Sequence, residues 1–191
     1  MTNTTPRKTT NPRTATNLGK TIRPRKTTHK LRSGSKPTLP QLVKRADAAF
    51  SRYVRLRDAE YTGGQWVGQC ISCQRKLVVI DRDGHWNPAV NAGHYISRGR
   101  KVLRWDDCNV NSQCAHCNAW QDKVKMLRDY RRNLCLKIGE NAVSDLEAQA
   151  VMLHKPTRDE LLEIITDAKA YVSFTLAHPT GLPSGTTGLV Y

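Results

Sequence analysis

From Leu42 onward, apolar residues recur at helical spacing: Leu42, Ala46, Ala49, Phe50, Tyr53 and Val54 fall three or four apart, with Lys44, Arg45, Arg52, Arg55 and Arg57 on the other face. That period predicts an amphipathic helix ending near Asp58. Thr38-Leu39-Pro40-Gln41 supplies its start, with threonine and glutamine at capping-box spacing and a proline in the first turn. A second capping box, Thr157-Arg158-Asp159-Glu160, precedes Leu161, Leu162, Ile164, Ile165, Ala168 and Val172 and predicts a final helix to about Phe174. Between these, Trp120, Val124, Leu127, Leu134 and Ile138 form a stripe that predicts a helix from about Ala119 to Ile138, ended by Gly139. A short helix over about 142–153 follows.

The middle of the chain reads differently. Gly63-Gly64 and Gly68 place a turn before Cys70, and Leu77-Val78-Val79-Ile80, Asp83-Gly84 and Trp86 predict a β-hairpin with an Asp-Gly turn. Asn87-Pro88 breaks it, and Gly93-His94-Tyr95-Ile96 opens a further short extended piece. The tail from Ala177, with Pro179, Gly181, Pro183, Ser184, Gly185 and Gly188, has turn chemistry without a pattern. The expected fold class is α+β: a small zinc-stabilised core over about 66–138, flanking helices, those at the C-terminal end over about 140–175, and loose ends.

Charge refines this organisation. The 191 residues carry a formal charge of +15, but residues 1–40 hold ten Lys and Arg and no acid, leaving 21 basic against 16 acidic residues in the remainder. Two thirds of the net charge therefore lies in an arm rich in Thr, Pro, Arg and Lys, which lacks the apolar surface to offset the entropy of ordering. We expect a disordered basic arm over 1–37, a folded domain over 38–175 and a flexible tail over 176–191. Such an arm suits a polyanion such as DNA, its bland alternative being a solubilising tail. There is no run of 18 apolar residues and no signal-type hydrophobic segment, so the expectation is a cytoplasmic protein with no membrane partner.

Six cysteines in a reducing compartment point to metal before disulfides. Cys70/Cys73 and Cys114/Cys117 are Cys-x-x-Cys pairs around a 40-residue insert, and each such turn presents two sulfurs on one side, as tetrahedral Zn2+ requires. Cys108 and Cys135 are left without a role. His85, after the Asp-Gly turn, and His116, inside the second pair, read as surface residues. His94 lies within the insert, Asn109 five residues before Cys114, and Asn118 directly after Cys117.

A His on a strand, then an Asn, then Cys-x-x-Cys-Asn opening a helix resembles the HNH, or ββα-metal, nuclease motif in zinc-supported form. More closely, Cys70-Ile71-Ser72-Cys73, Ala92-Gly93-His94-Tyr95, Leu103-Arg104-Trp105, Gln113-Cys114, Cys117-Asn118 and Ile138-Gly139 resemble the NinG/Rap recombination endonucleases of lambdoid phages, over roughly residues 40–172. The resemblance implies a structure-specific DNA endonuclease acting on branched recombination intermediates such as D-loops and Holliday junctions, in the host cytoplasm. It implies His94 as general base, Asn109 as the residue that orients it, and Asn118 as a ligand of a catalytic Mg2+ or Mn2+. Gly93 stands where many HNH motifs have an acidic or histidine ligand, and Asn118 where a final histidine is commoner. Because a carboxamide is a weak ligand for a hard cation, Asp122, one helical turn beyond Asn118, is the first carboxylate candidate, with Asp106 or Asp107 second. Arg98, Arg100, Lys101, Arg104, Lys123 and Lys125 are the expected DNA contacts. Cutting a two-fold junction symmetrically would suit a homodimer. The alternatives are a zinc-bearing DNA-binding protein without catalysis and an HNH enzyme that cuts linear duplex.

Overall fold

The computed structural model describes residues 36–119 and 123–180; the basic arm before residue 36, Asp122 and the end of the tail lie outside the described residues. Helix α1 (Leu39–Arg57) buries Leu42, Ala46, Ala49, Phe50, Tyr53 and Val54, the face its period marks out. At its start the Thr38 N–H donates to Gln41 Oε1 at 2.8 Å. Helix α5 (Arg158–Ala177) runs three residues beyond the expected end, and its Thr157 Oγ1 accepts from Glu160 N at 3.2 Å while Thr157 N donates to Glu160 Oε2 at 2.6 Å. The two helices share one core in which Leu161, Ile164, Ile165 and Ala168 meet the buried face of α1, and Tyr53 stands edge-on to Tyr171 with ring centroids 4.8 Å apart.

Two small sheets fill the middle. Strands β1 (Ala59–Thr62), β2 (Gln65–Gln69) and β3 (Lys76–Ile80) form one antiparallel sheet in that order. The β1–β2 hairpin was not foreseen, because three of the four β1 residues are exposed and leave no apolar alternation. Its two-residue turn has positive φ at both Gly63 and Gly64, a combination that glycine takes without steric cost. The expected Asp-Gly hairpin shrinks to a turn: β3 pairs with β2 across the first cysteine pair, and only one bridge, Ile80 to Trp86, forms on its other side.

The second sheet is a ribbon of β4 (Val90–His94) and β5 (Val110–Cys114), antiparallel, with Val90 opposite Cys114 and His94 opposite Val110. Helix α2 (Ala115–Ala119) follows β5 directly, then α3 (Lys123–Ile138), α4 (Glu140–Gln149) and, after a connection, α5. Gly139, at φ 89°, separates α3 from α4. Helix α4 stops short of its expected end, and Val151, Met152 and Leu153 lie exposed on the connection. No helix among the described residues is long and apolar enough to cross a membrane.

Helix α3 corrects the periodic reading in its first half. Val124 is 81 % exposed and Leu127 47 %, so these two face outward, while Leu134 is buried and Ile138 packs against the same apolar cluster, as the stripe predicts. The buried side is Tyr130, Asn133 and Leu134, with Met126 partly covered. The physical reason is that the surface beneath it is mixed: apolar Ile71, Tyr95 and Leu103 meet Tyr130 and Leu134, while Asn111, Gln113 and the backbone of the first cysteine turn present polar groups. Asn133 Nδ2 donates to Ile71 O at 2.7 Å and Ser72 O at 3.0 Å. The Tyr130 hydroxyl donates to Gly93 O at 2.9 Å and accepts from Asn111 Nδ2 at 3.2 Å, while Gln113 Nε2 meets Met126 Sδ at 2.9 Å. Polar groups under a helix must be matched by the helix.

Arg57 and Asp58 close the other end. Arg57 donates to Asp107 O and Val110 O, both at 2.9 Å, and pairs with Asp58 and Asp107. Asp58 accepts from Ser112 N at 2.7 Å and Lys137 Nζ at 2.8 Å. Burial alone would raise the Asp58 carboxyl, but the Arg57 and Lys137 charges outweigh it and hold it below the ordinary carboxylate range. Arg57, which the period places on the basic face of α1, is thus a structural cation.

If the polar face of α3 carries the packing, Tyr130→Phe should cost about 1–3 kcal/mol although it removes one oxygen, whereas Val124→Ala should stay within about 0.5 kcal/mol. Urea melts of the two variants measure both; equal effects would restore the apolar stripe.

Candidate functional site

The sulfurs of Cys70, Cys73, Cys114 and Cys117 all lie within 4.8 Å of one another. Cys70 and Cys73 sit in the turn between β2 and β3, while Cys114 ends β5 and Cys117 lies in α2. The Cys73 and Cys114 sulfurs are 3.9 Å apart, close to the separation of about 3.8 Å that four Zn–S bonds of about 2.3 Å impose on a tetrahedron. Main-chain N–H groups aim at the sulfurs, Cys114 N at Cys70 Sγ and Cys117 N at Cys114 Sγ, each at 3.4 Å. Burial pushes the Cys117 thiol up, reinforced by the Cys114 and Cys73 sulfurs beside it, and burial also raises Cys70. Cys73 goes the other way, its thiol lowered against burial by the Arg75 N–H and the neighbouring sulfurs, and a dication bound among them would favour thiolates. The donor set fits zinc, and with four sulfurs it leaves no open position for substrate.

Cys108 and Cys135 stand outside this cluster. Cys108 is exposed, and Cys135 is partly buried with Arg131 Nη1 3.7 Å from its sulfur.

His94 occupies the opposite end of the ribbon. Four strand residues, or about 13 Å, separate it from Val90, the partner of Cys114. Its Nε2 lies 3.0 Å from the carbonyl oxygen of Arg104. A carbonyl only accepts, so Nε2 carries the proton and Nδ1 keeps its lone pair. Burial lowers the His94 pKa from its ordinary value, helped by the Arg98 and Arg104 charges and opposed by the Arg104 carbonyl and Asp47. The ring is a neutral base in a half-covered position.

Asn109 is fully buried and bonds to backbone, not to the imidazole. Its Nδ2 donates to Leu103 O at 2.7 Å and Ile96 O at 3.0 Å, and its Oδ1 accepts from Ile96 N at 2.7 Å. It thus clamps both ends of the segment 96–103 that leads into Arg104, and any effect on His94 passes through that segment.

Asn118 is exposed on α2, and among the described residues no hydrogen bond joins it to His94. Asp107 hydrogen-bonds Tyr53 and pairs with Arg57, and Asp106 accepts from Asn109 N at 2.7 Å, so both carboxylates serve the loop before β5. Gly93 has no room for a ligand: a Cβ there would lie 2.2 Å from Gln113 Oε1 and 2.8 Å from Gln113 Cβ. A complete donor set for a hard cation is not assembled beside His94 among the described residues.

Of the expected DNA contacts, Arg98, Arg100 and Lys101 are exposed on the segment after His94, Lys125 is exposed on α3, and Lys123 opens that helix. Arg104 differs. Its Nε and Nη2 donate to Asp47 Oδ1 and Oδ2 at 2.9 and 2.6 Å, and Trp105 Nε1 donates to Asp47 Oδ1 at 3.1 Å. Asp47 escaped sequence reasoning because nothing local marks a helical aspartate whose partners lie 57 and 58 residues away. A cleft of about 460 Å3 lies elsewhere, lined by Arg57, Asp58, Asn111, Asn133 and Lys137, whose polar groups are engaged with one another and with backbone. None of His94, Arg98, Arg100 and Lys101 lines this cleft.

The family model described as Bacteriophage Lambda NinG protein matches residues 3–175. No curated protein and no solved structure gives a match.

Metal analysis of the purified protein should give one zinc per chain, and Cys114→Ser should lose it together with the cooperative melt. Apo protein that kept the holo melting curve would contradict a structural ion.

Proposed function

This chain belongs to the NinG family, and from that premise we propose that it is a structure-specific endonuclease that hydrolyses phosphodiesters in branched DNA during phage recombination. The observation that carries the reading is the state of His94: Nε2–H is committed to the Arg104 carbonyl, so Nδ1 is the free basic atom, and burial keeps it unprotonated near neutrality. In the proposed step Nδ1 takes a proton from water as the water oxygen attacks phosphorus and the bond to the leaving sugar oxygen breaks.

A ribbon, His94 at the end of its first strand, and a helix after its second are the parts that the HNH resemblance calls for. A Mg2+ or Mn2+ ion, when bound, would neutralise charge on the phosphate oxygens. Asn118 and Asp122 are the residues proposed to hold it, while the zinc stays structural. Arg98, Arg100 and Lys101, exposed on the segment beyond His94, would hold the DNA backbone beside the base.

His94→Ala should reduce cleavage of a four-way junction in Mg2+ by about 10²–10⁴-fold and leave junction binding unchanged. Full cleavage by that variant would remove the base assignment, and equal cutting of linear duplex, D-loop and junction by wild type would remove the branch preference. The rate should fall on the acid side through a pKa below about 6.5, because a depressed histidine stays neutral, and therefore active, to lower pH.

Deleting residues 1–36 should weaken junction binding and flatten the slope of log affinity against log salt. Up to about ten phosphate contacts would be lost. An unchanged slope would leave the arm a solubilising tail.

A further inference from the structure

We propose that Asp47 is a positioning residue for His94, acting through the main chain of Arg104: one carboxylate on α1 grips the side chains of two consecutive residues and so fixes the carbonyl that holds the imidazole. Three N–H groups converge on it, two from the Arg104 guanidinium at 2.9 and 2.6 Å and one from the Trp105 indole at 3.1 Å. Such fork-on-carboxylate pairs are among the stronger and more directional polar contacts. The carboxylate is anchored on a rigid element, since Ala46, Ala49 and Phe50 beside it are buried in the α1–α5 core.

Residues 103–105 are then held from several sides. Asn109 takes the Leu103 carbonyl, His94 takes the Arg104 carbonyl, and Asp47 takes both following side chains. A base must be held to within about 0.5 Å to work, and its own two rotatable bonds cannot supply that. The carboxylate is occupied by N–H donors, which makes it an orienting group and not a cation ligand. The charged groups acting on His94 are Asp47 from α1 and Arg98 and Arg104 from the segment after β4.

The inference rests on reading His94 as the base, and its test is arranged to fail separately. In full-length zinc-loaded protein with 15N-histidine, the His94 signals are those absent from His94→Gln, and wild type should show protonated Nε2 and bare Nδ1. Asp47→Asn and Arg104→Lys, each checked for zinc content and melting, should shift those signals toward a mixture of tautomers. Each should also lower kcat on a junction about tenfold or more with KM within about twofold. Unchanged His94 signals in both folded variants would overturn the proposal, as would a loss of cleavage restored by raising Mg2+, which would make Asp47 a metal ligand. If His94→Ala cleaves at the wild-type rate the base reading falls, and the nitrogen signals alone then decide whether Asp47 positions the ring. Should Asp47→Asn fail to fold, Arg104→Lys carries the same comparison.

Discussion

Four sulfurs from two turns 40 residues apart in the chain must share one small volume, and the rest of the site depends on that. Closing a loop of this length costs on the order of 4 kcal/mol in chain entropy, and buried thiols have little attraction for one another with which to offset it. A divalent cation, when bound, would supply the attraction. Because one turn joins β2 to β3 and the other cysteine pair ends β5, such an ion would fix the three-stranded sheet against the β4–β5 ribbon. The cysteine cluster would then set where the ribbon points, and His94, at the ribbon's far end, lies about 13 Å of strand away from it.

The far end is fastened by different chemistry. Arg57 donates to the carbonyls of Asp107 and Val110, and Asp58 joins Ser112 and Lys137, so a buried ionic group spans α1, the loop before β5 and the end of α3. Groups of this kind contribute less to net stability than to a unique arrangement, because each unpaired alternative leaves a charge or a carbonyl stranded. Tyr130 and Asn133 extend the same logic along α3. The ribbon is thus flanked by the four-cysteine cluster at one end, held by guanidinium and carboxylate at the other, and by amide and phenol contacts between.

Much of this was legible in the chain where the physics is local. Capping boxes at Thr38 and Thr157 and the apolar period after Leu42 mark α1 and α5, and the spacing of the cysteine pairs marks the four-sulfur cluster. The signals failed where a residue answers to something distant. Val124 and Leu127 are apolar yet exposed, because the surface under α3 asks for donors and acceptors. Arg104 sits in a basic run that reads as a phosphate contact, yet Asp47 occupies its guanidinium. Asn109, expected to orient the imidazole, bonds instead to backbone at Ile96 and Leu103, a role that no spacing reveals.

Gly93 shows how such packing channels change in a sequence. The volume in front of its Cα is filled by the Gln113 carboxamide, which is itself anchored to Ser72 and Met126. A side chain at position 93 would meet the Gln113 Cβ as well as its carboxamide, so the two strands would have to shift as well as position 113 change, and shortening Gln113 alone strands Ser72 and opens a void. Each single step is a loss, so the two positions are epistatic. With Gln113 in place, a carboxylate beside His94 has to come from another part of the chain than position 93.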